Sequence, residues 1–387
     1  MTRDPLRAAQ TLSASANLDA QDARRLALEL FIVGYEGTSL PAQYAEWLRE
    51  GLGGVILFKR NLEFAADGAI DTAALAAHTE SIFAASEQCP WLPAPIFSAV
   101  DQEGGLVARL RKPFTELPPM RKLGERGDDA LLASVGRQLG RECLAAGFNL
   151  DFTPVLDVDT NPQNPIIGNR SFSRDPAQVA HFAGVLLDAL QAEGVLGCGK
   201  HFPGHGDTNA DSHLELPVLN HDLQRLKDVE LLPFQRLADR LPMVMTAHVL
   251  FRALDAEWPA TVSPQILRPL LRDYCGFDGV IVSDDLEMHG IAQVLLPGEA
   301  VRRGIEAGCD NFLVCRRQDT LESALEGATR VLLGLDGAVQ RDRALASVAR
   351  VRRLRARLVR PHPTAAGIAA VLNDSTTAQL RTALAGL

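Results

Sequence analysis

Long apolar runs are missing from this chain of 387 residues. No stretch approaches the roughly 18 uninterrupted apolar residues that a membrane-spanning helix needs. The segment from Met1 to Arg24 also lacks the apolar core of a secretory signal and is rich in Arg, Asp, Ser and Gln. The expectation is a cytoplasmic protein with no membrane partner. Net positive charge is missing as well: the formal net charge is −9, the opposite of what a phosphate backbone attracts, so nucleic acid is excluded as the main partner. The six cysteines show no CxxC spacing and several sit inside apolar runs, so they read as reduced, buried small hydrophobes. No internal repeat or low-complexity segment stands out.

What is present is ample core material, with 47% hydrophobic residues against 22% charged, the balance of a folded enzyme-sized domain. Short apolar runs alternate with amphipathic helical stretches. The strand candidates are Leu30 to Tyr35, Gly54 to Phe58, Ile96 to Val100, Leu150 to Leu156, Val195 to Lys200, Met243 to Ala247, Gly279 to Ser283 and Asn311 to Cys315. Helical patterns lie between them, among them Asp71 to Ser86, Asp128 to Ala146, Pro176 to Glu193, Asp222 to Leu237, Pro264 to Tyr274 and Pro297 to Ala307. Asp175-Pro176 and Ser263-Pro264 look like helix starts, and Gly194, Gly276 and Gly308 like helix stops. The strands read as continuous apolar runs, as parallel strands buried on both faces do.

Eight such units predict a single-domain (β/α)8 barrel of the TIM type, spanning 26–360. Residues 1–25 then form an N-terminal extension, and 361–387 a tail or an extra helix. Thr320 to Leu335 and Arg341 to Val359 read as two helices after the last strand, with the arginines of the second on a solvated face. A doubly wound open sheet is the alternative, but no GxGxxG follows the first strand candidate. A barrel also forecasts that reactive side chains gather where strands end. The chain obeys: the strand candidates run into Asp101, Asp157, Lys200-His201, His248, Asp284-Asp285 and Cys315-Arg316-Arg317.

The densest of these ends is Lys200-His201-Phe202-Pro203-Gly204-His205-Gly206-Asp207-Thr208-Asn209-Ala210-Asp211-Ser212-His213. Pro203, Gly204 and Gly206 rule out regular helix or strand, leaving a loop crowded with proton-transfer groups. A solvated turn would need Gly, Asn and Asp, not three imidazoles. A metal site built from His201, His205, Asp207, Asp211 and His213 is a rival, since imidazole and carboxylate are ordinary ligands. HxxxH pairs work best on a helix, however, and the proline and glycines forbid one here. No metal and no other cofactor is expected.

Ser283-Asp284-Asp285 delivers two carboxylates from an apolar strand, where they are costly unless solvated, paired or used. Alternation predicts that only one faces the barrel axis, with Asp285 a candidate helix cap. Glycoside hydrolysis requires a carboxylate nucleophile or base and a proton donor. Asp284 fits the first role and His213 the second, with Asp211 orienting the imidazole and favouring its protonated form.

Ala99-Val100-Asp101-Gln102-Glu103-Gly104-Gly105, Gly168-Asn169-Arg170-Ser171-Phe172, the Lys200 to Thr208 segment, Asp211-Ser212-His213 and Ser283-Asp284-Asp285 occur in that order. Together they resemble glycoside hydrolase family 3, in its branch of single-domain β-N-acetylglucosaminidases that trim cell-wall fragments in muropeptide recycling. The resemblance runs from about Leu30 to Val359. It implies that Asp284 forms a covalent glycosyl-enzyme, that His213 with Asp211 is the acid/base, and that Asp101, Arg109, Arg170, Lys200 and His201 bind the non-reducing sugar. Arg109 and Arg170 could instead be ion pairs holding loops together. His205 and Asp207 are expected to bridge the loop backbone and Lys200, His248 to line the pocket, and Met288 with His289 to shape its floor. His78 and His181 are expected to be structural. Two-domain members of the family add a sandwich domain that often supplies the acid/base, whereas here the donor candidate lies within the barrel.

The resulting expectation is a retaining exo-β-N-acetylglucosaminidase acting on a small carbohydrate as a monomer or weak dimer. The same residues allow a phosphorylase or a β-glucosidase, and a sugar-binding sensor without turnover is the non-enzymatic alternative.

Overall fold

Parallel strands rich in Val, Ile and Phe must be covered on both faces, and a closed barrel with an outer ring of helices does this. The computed structural model describes residues 18–92, 95–209, 211–212 and 215–387. Among them, the barrel strands are β1 (Phe31–Val33), β2 (Gly54–Ile56), β3 (Phe97–Val100) and β4 (Leu150–Asp151). The circuit continues with β5 (Leu196–Phe202), β6 (Met243–Thr246), β7 (Val280–Asp285) and β8 (Asn311–Val314). Each pairs in parallel with the next, and β8 closes on β1 through Phe31–Phe312, Ile32–Leu313 and Val33–Val314. The expected barrel is the observed fold, and every expected strand has its counterpart.

Differences from expectation have local causes. β4 stops at Asp151 instead of reaching Leu156, because Pro154 has no N–H to give the ladder. The helix expected over Asp222 to Leu237 is two, Leu223–Asp228 and Leu232–Leu237. Pro233 breaks it, since its ring is tolerated only in a first turn. Asp175 caps Pro176–Ala192 by accepting from the amides of Ala177 and Gln178. Ser263 is not a cap: its hydroxyl donates to Asp255 Oδ2 at 2.6 Å, and the next helix starts only at Leu267. Gly194, Gly276 and Gly308 all take positive φ, as helix stops should.

In the helix Ala338–Arg355, Arg353 is exposed as expected, but Arg350, Arg352 and Arg355 are not on a solvated face. Arg352 forks onto Glu29 at 2.6 and 2.9 Å, and Arg350 reaches Asp310 at 2.5 Å, because both carboxylates are buried and need partners. After it, Ala365–Leu372 and Ser375–Leu384 pack on the outside of Asp129–Ala145. All six cysteines are free and buried. Among the described residues no helix is long and apolar enough to cross a membrane.

Two irregularities position the site. β5 pairs with β6 through Gly199–Val244 and then Phe202–Thr246, so three steps on one strand match two on the other. β7 does the same against β8, between Val282–Asn311 and Asp285–Leu313. Such bulges re-aim side chains that strict alternation would send to opposite faces. Each falls on a charged pair, Lys200-His201 and Asp284-Asp285.

Candidate active site

A cavity of about 460 Å³ opens at the carboxyl ends of the strands. Lys200 and His201 both face it, and so do Asp284 and Asp285. The expectation that one of the two aspartates points away is therefore overturned, and the bulge in β7 is the reason.

One wall is a buried charge cluster. Lys200 Nζ donates to Asp101 Oδ1 at 2.9 Å and to Glu103 Oε1 at 2.6 Å. Arg170 forks onto Glu103 with Nε–Oε2 2.8 Å and Nη2–Oε1 2.7 Å. Arg109 Nη2 reaches Asp101 Oδ2 at 3.4 Å, and its guanidinium lies 5.5 Å from the Phe58 ring centre. Burial works against charge on Asp101, Glu103, Arg170 and Lys200. The cations Lys200 and Arg109 outweigh it at Asp101, and Arg170 with Lys200 at Glu103, so both carboxyls lie below their usual range. Burial likewise opposes the charge on Lys200, but Asp101 and Glu103 hold its ammonium above the ordinary lysine value. The cluster thus stays ionised, a fixed array of donors and acceptors facing the cavity. Arg109 and Arg170 are loop-holding ion pairs and cavity walls at once.

Glu103 was not singled out from the sequence. Charge counting is the signal that finds it: two buried cations, Lys200 and Arg170, require a second carboxylate beside Asp101. Asp157 is a second residue without an assigned role. Fully buried, it accepts from His201 Nδ1 at 2.6 Å and from the His205 amide at 2.7 Å. Burial opposes its charge, yet His201 and these bonds hold its carboxyl below the usual range. With Nδ1 occupied, Nε2 is the nitrogen His201 has left for a guest.

His205 and Asp207 do not touch Lys200, whose ammonium is taken by Asp101 and Glu103. The His205 ring instead bonds Thr208 Oγ1 at 2.8 Å and Ser212 Oγ at 3.0 Å. Burial, reinforced by His201, pushes its pKa down to about 4, so it is a neutral brace. Asp207 accepts from Thr160 Oγ1 at 2.8 Å and stands 2.9 Å from His221 Nε2. His213 lies outside the described residues. Its neighbour Ser212 lines the cavity, and the Ser212 carbonyl accepts from the Gly290 amide at 2.9 Å. Asp211 is described and half-buried.

His248 lies beneath the site and not on its wall: Nδ1 meets Thr261 Oγ1 at 2.8 Å and Nε2 meets the Asp285 carbonyl at 3.0 Å. Met288 lines the cavity, while His289 is exposed on the short helix His289–Ala292. His78 is buried against Tyr35 Oη at 2.8 Å, and His181 pairs on the surface with Asp129 at 2.9 Å.

The two adjacent aspartates differ in what they hold. Asp285 Oδ1 accepts from the amides of Glu287 at 3.1 Å and Cys315 at 3.2 Å. Burial, Glu287 and Asp284 push its carboxyl up to about 7. Asp284 Oδ1 accepts from the Asp285 amide at 2.8 Å, and its carboxylate faces the cavity. Asp284 is therefore the one presented to a guest.

The sequence pattern of the glycosyl hydrolase family 3 N terminal domain matches residues 29–354. A β-hexosaminidase of Bordetella avium (strain 197N) is 41% identical over 307 residues, 76% of this chain and 83% of that protein. Among solved structures, NagZ from Neisseria gonorrhoeae superposes with a TM-score of 0.73 at 33% identity, over 92% of this chain and 96% of the other. A family 3 β-N-acetylglucosaminidase from Paenibacillus sp. str. FPU-7 gives 0.82 at 32% identity, over 93% and 68%. With the barrel, the cavity and these matches together, the chain belongs to glycosyl hydrolase family 3.

Proposed function

We propose that this glycosidase removes terminal β-linked N-acetylglucosamine, with retention of configuration, from small cell-wall fragments. The observation that carries the reading is the cavity itself. An outward-facing carboxylate, Asp284, shares about 460 Å³ with the polar side chains of Asp101, Arg109, Lys200 and His201. A space of that size suits one sugar ring, and the ring of donors and acceptors suits its hydroxyls. The names borne by the relatives support N-acetylglucosamine as that sugar.

In this reading Asp284 attacks the anomeric carbon while protonated His213, paired with Asp211, gives its proton to the departing oxygen. A covalent glycosyl-enzyme forms on Asp284. His213 then takes a proton from water, whose oxygen displaces Asp284 and restores the original anomer. The neutral brace of His205 on Ser212 anchors the loop immediately before His213 in the chain. Action in the cytoplasm as a monomer or weak dimer completes the proposal.

The test is turnover of an aryl β-N-acetylglucosaminide beside the matching glucoside, with the first-formed anomer read by NMR. Preferred cleavage of the first with β-sugar released is expected. Binding without product, first-formed α-sugar, or faster glucoside cleavage overturns the reading in its mechanism or its specificity.

A further inference from the structure

Asp285 sits one residue beyond the nucleophile candidate and makes hydrogen bonds to five residues. Its side-chain Oδ1 ties the end of β7 to the Cys315 amide just past β8 at 3.2 Å, and to the Glu287 amide of the following turn at 3.1 Å. Its carbonyl accepts from His248 Nε2 at 3.0 Å and from the Met288 amide at 3.1 Å. Its own amide donates to Asp284 Oδ1 at 2.8 Å. Among the described residues that amide is the one hydrogen-bond donor to Asp284.

We propose that the Asp285 side chain is a positioning residue for the reaction: by fastening β7 to β8 and to the turn, it fixes the amide that aims the Asp284 carboxylate. The proposal rests on the reading of Asp284 as nucleophile. The physical need is specific to this strand. A bulge interrupts the β7–β8 ladder between Val282 and Asp285. The Leu313 amide donates to Ser283 Oγ at 3.1 Å across it, and the Leu286 amide donates to the Leu313 carbonyl at 3.0 Å beyond it, so the carboxylates lie at the one irregular step. The Asp285 carboxyl adds a further tie at the Cys315 amide, past the end of β8. His248 secures the same peptide from below, with Thr261 Oγ1 on its other nitrogen at 2.8 Å.

The acceptor is what matters, not the charge. With the Asp285 carboxyl pushed up to about 7, Oδ1 accepts these bonds whether or not the group is ionised. Asparagine keeps an oxygen in the same place, whereas glutamate keeps the charge but moves it by one methylene.

The experiment compares Asp285→Asn, Asp285→Glu and Asp285→Ala with the wild type. The readouts are kcat and KM on an aryl N-acetylglucosaminide, calorimetric affinity for free N-acetylglucosamine, and the rate of covalent labelling by an activated 5-fluoro analogue of that sugar. A displacement of about 1 Å costs about 100-fold in rate. Asp285→Ala and Asp285→Glu are therefore expected to lose about 100-fold in kcat and in labelling rate, with sugar affinity within threefold of wild type. Asp285→Asn is expected to stay within fivefold on both rates. If Asp285→Ala does not fold, the order of Asn above Glu decides alone. Glu matching or exceeding Asn, or Ala retaining kcat within threefold, overturns the proposal. Failure of the underlying reading looks different: wild-type protein would then carry the label on a peptide without Asp284, or carry none.

Discussion

The two ends of the barrel both bury carboxylates against arginine and lysine, and they use them differently. At the amino end, Asp310 precedes β8 and is closed on all sides: Arg272 at 2.5 Å and the Ile281 amide at 2.9 Å meet one oxygen, Ser347 at 2.8 Å and Arg350 at 2.5 Å the other. Its side chain is 1% exposed. At the carboxyl end, Asp101 holds Lys200 and Arg109 but keeps 16% of its side chain open to the cavity. Asp284, also on the cavity wall, carries a single amide among the described residues. Burial of charge thus does not by itself mark a site. The mark is a charged array whose partners leave one side unoccupied.

That contrast can be broken from either end. The largest effect is expected from Asp284→Ala, with turnover falling on the order of 10⁴-fold or more while the melting temperature stays close to wild type; a near-normal rate would remove Asp284 from the mechanism. His213→Ala should cost on the order of 10²- to 10⁴-fold on poor leaving groups and much less on activated aryl glycosides. Equal losses on both substrates would argue that His213 is not the proton donor.

Asp310→Ala should do the reverse of Asp284→Ala. It leaves Arg272 and Arg350 without their buried partner and is expected to cost about 3 to 5 kcal/mol of stability by denaturant titration, with kcat at low temperature unchanged. A large loss of kcat in the folded variant would erase the distinction between the two ends.

The smallest effect is a pH dependence. The unfolded chain takes up a proton at His205 near its ordinary value of 6.5, but the folded chain does so only near 4. Between these values the unfolded state binds more protons, so stability rises with pH. The contribution is present above about 6.5 and is lost as pH falls toward 4, about 3 kcal/mol in all. Denaturation midpoints at pH 7 and 4.5 should therefore differ less in His205→Gln than in the wild type; identical differences would refute the brace as a neutral buried group.

Much of this was legible beforehand where the cause is local. The eight apolar runs, their order and the reactive residues at their carboxyl ends follow from patterns a few residues wide, and Asp175 caps its helix as its position before Pro176 implies. Local pattern fails where a partner comes from far along the chain. The Arg-rich helix looked like a solvated face because Glu29 and Asp310 are distant in sequence from Arg352 and Arg350. His205 does not meet Lys200 because Asp101 and Glu103, about a hundred residues away from that lysine, already hold its ammonium.

By itself, then, the sequence determined the barrel, its polarity and the loop and strand ends that carry chemistry, because hydrophobic period, prolines, glycines and caps act over a turn or a strand. Tertiary structure alone decided that Lys200 and His201 share one cavity with both Asp284 and Asp285, and which of the two aspartates is presented. Those outcomes hang on register shifts between neighbouring strands and on amides such as that of Cys315, brought in by the last strand. Register is a property of pairs of strands, and no window of one strand contains it.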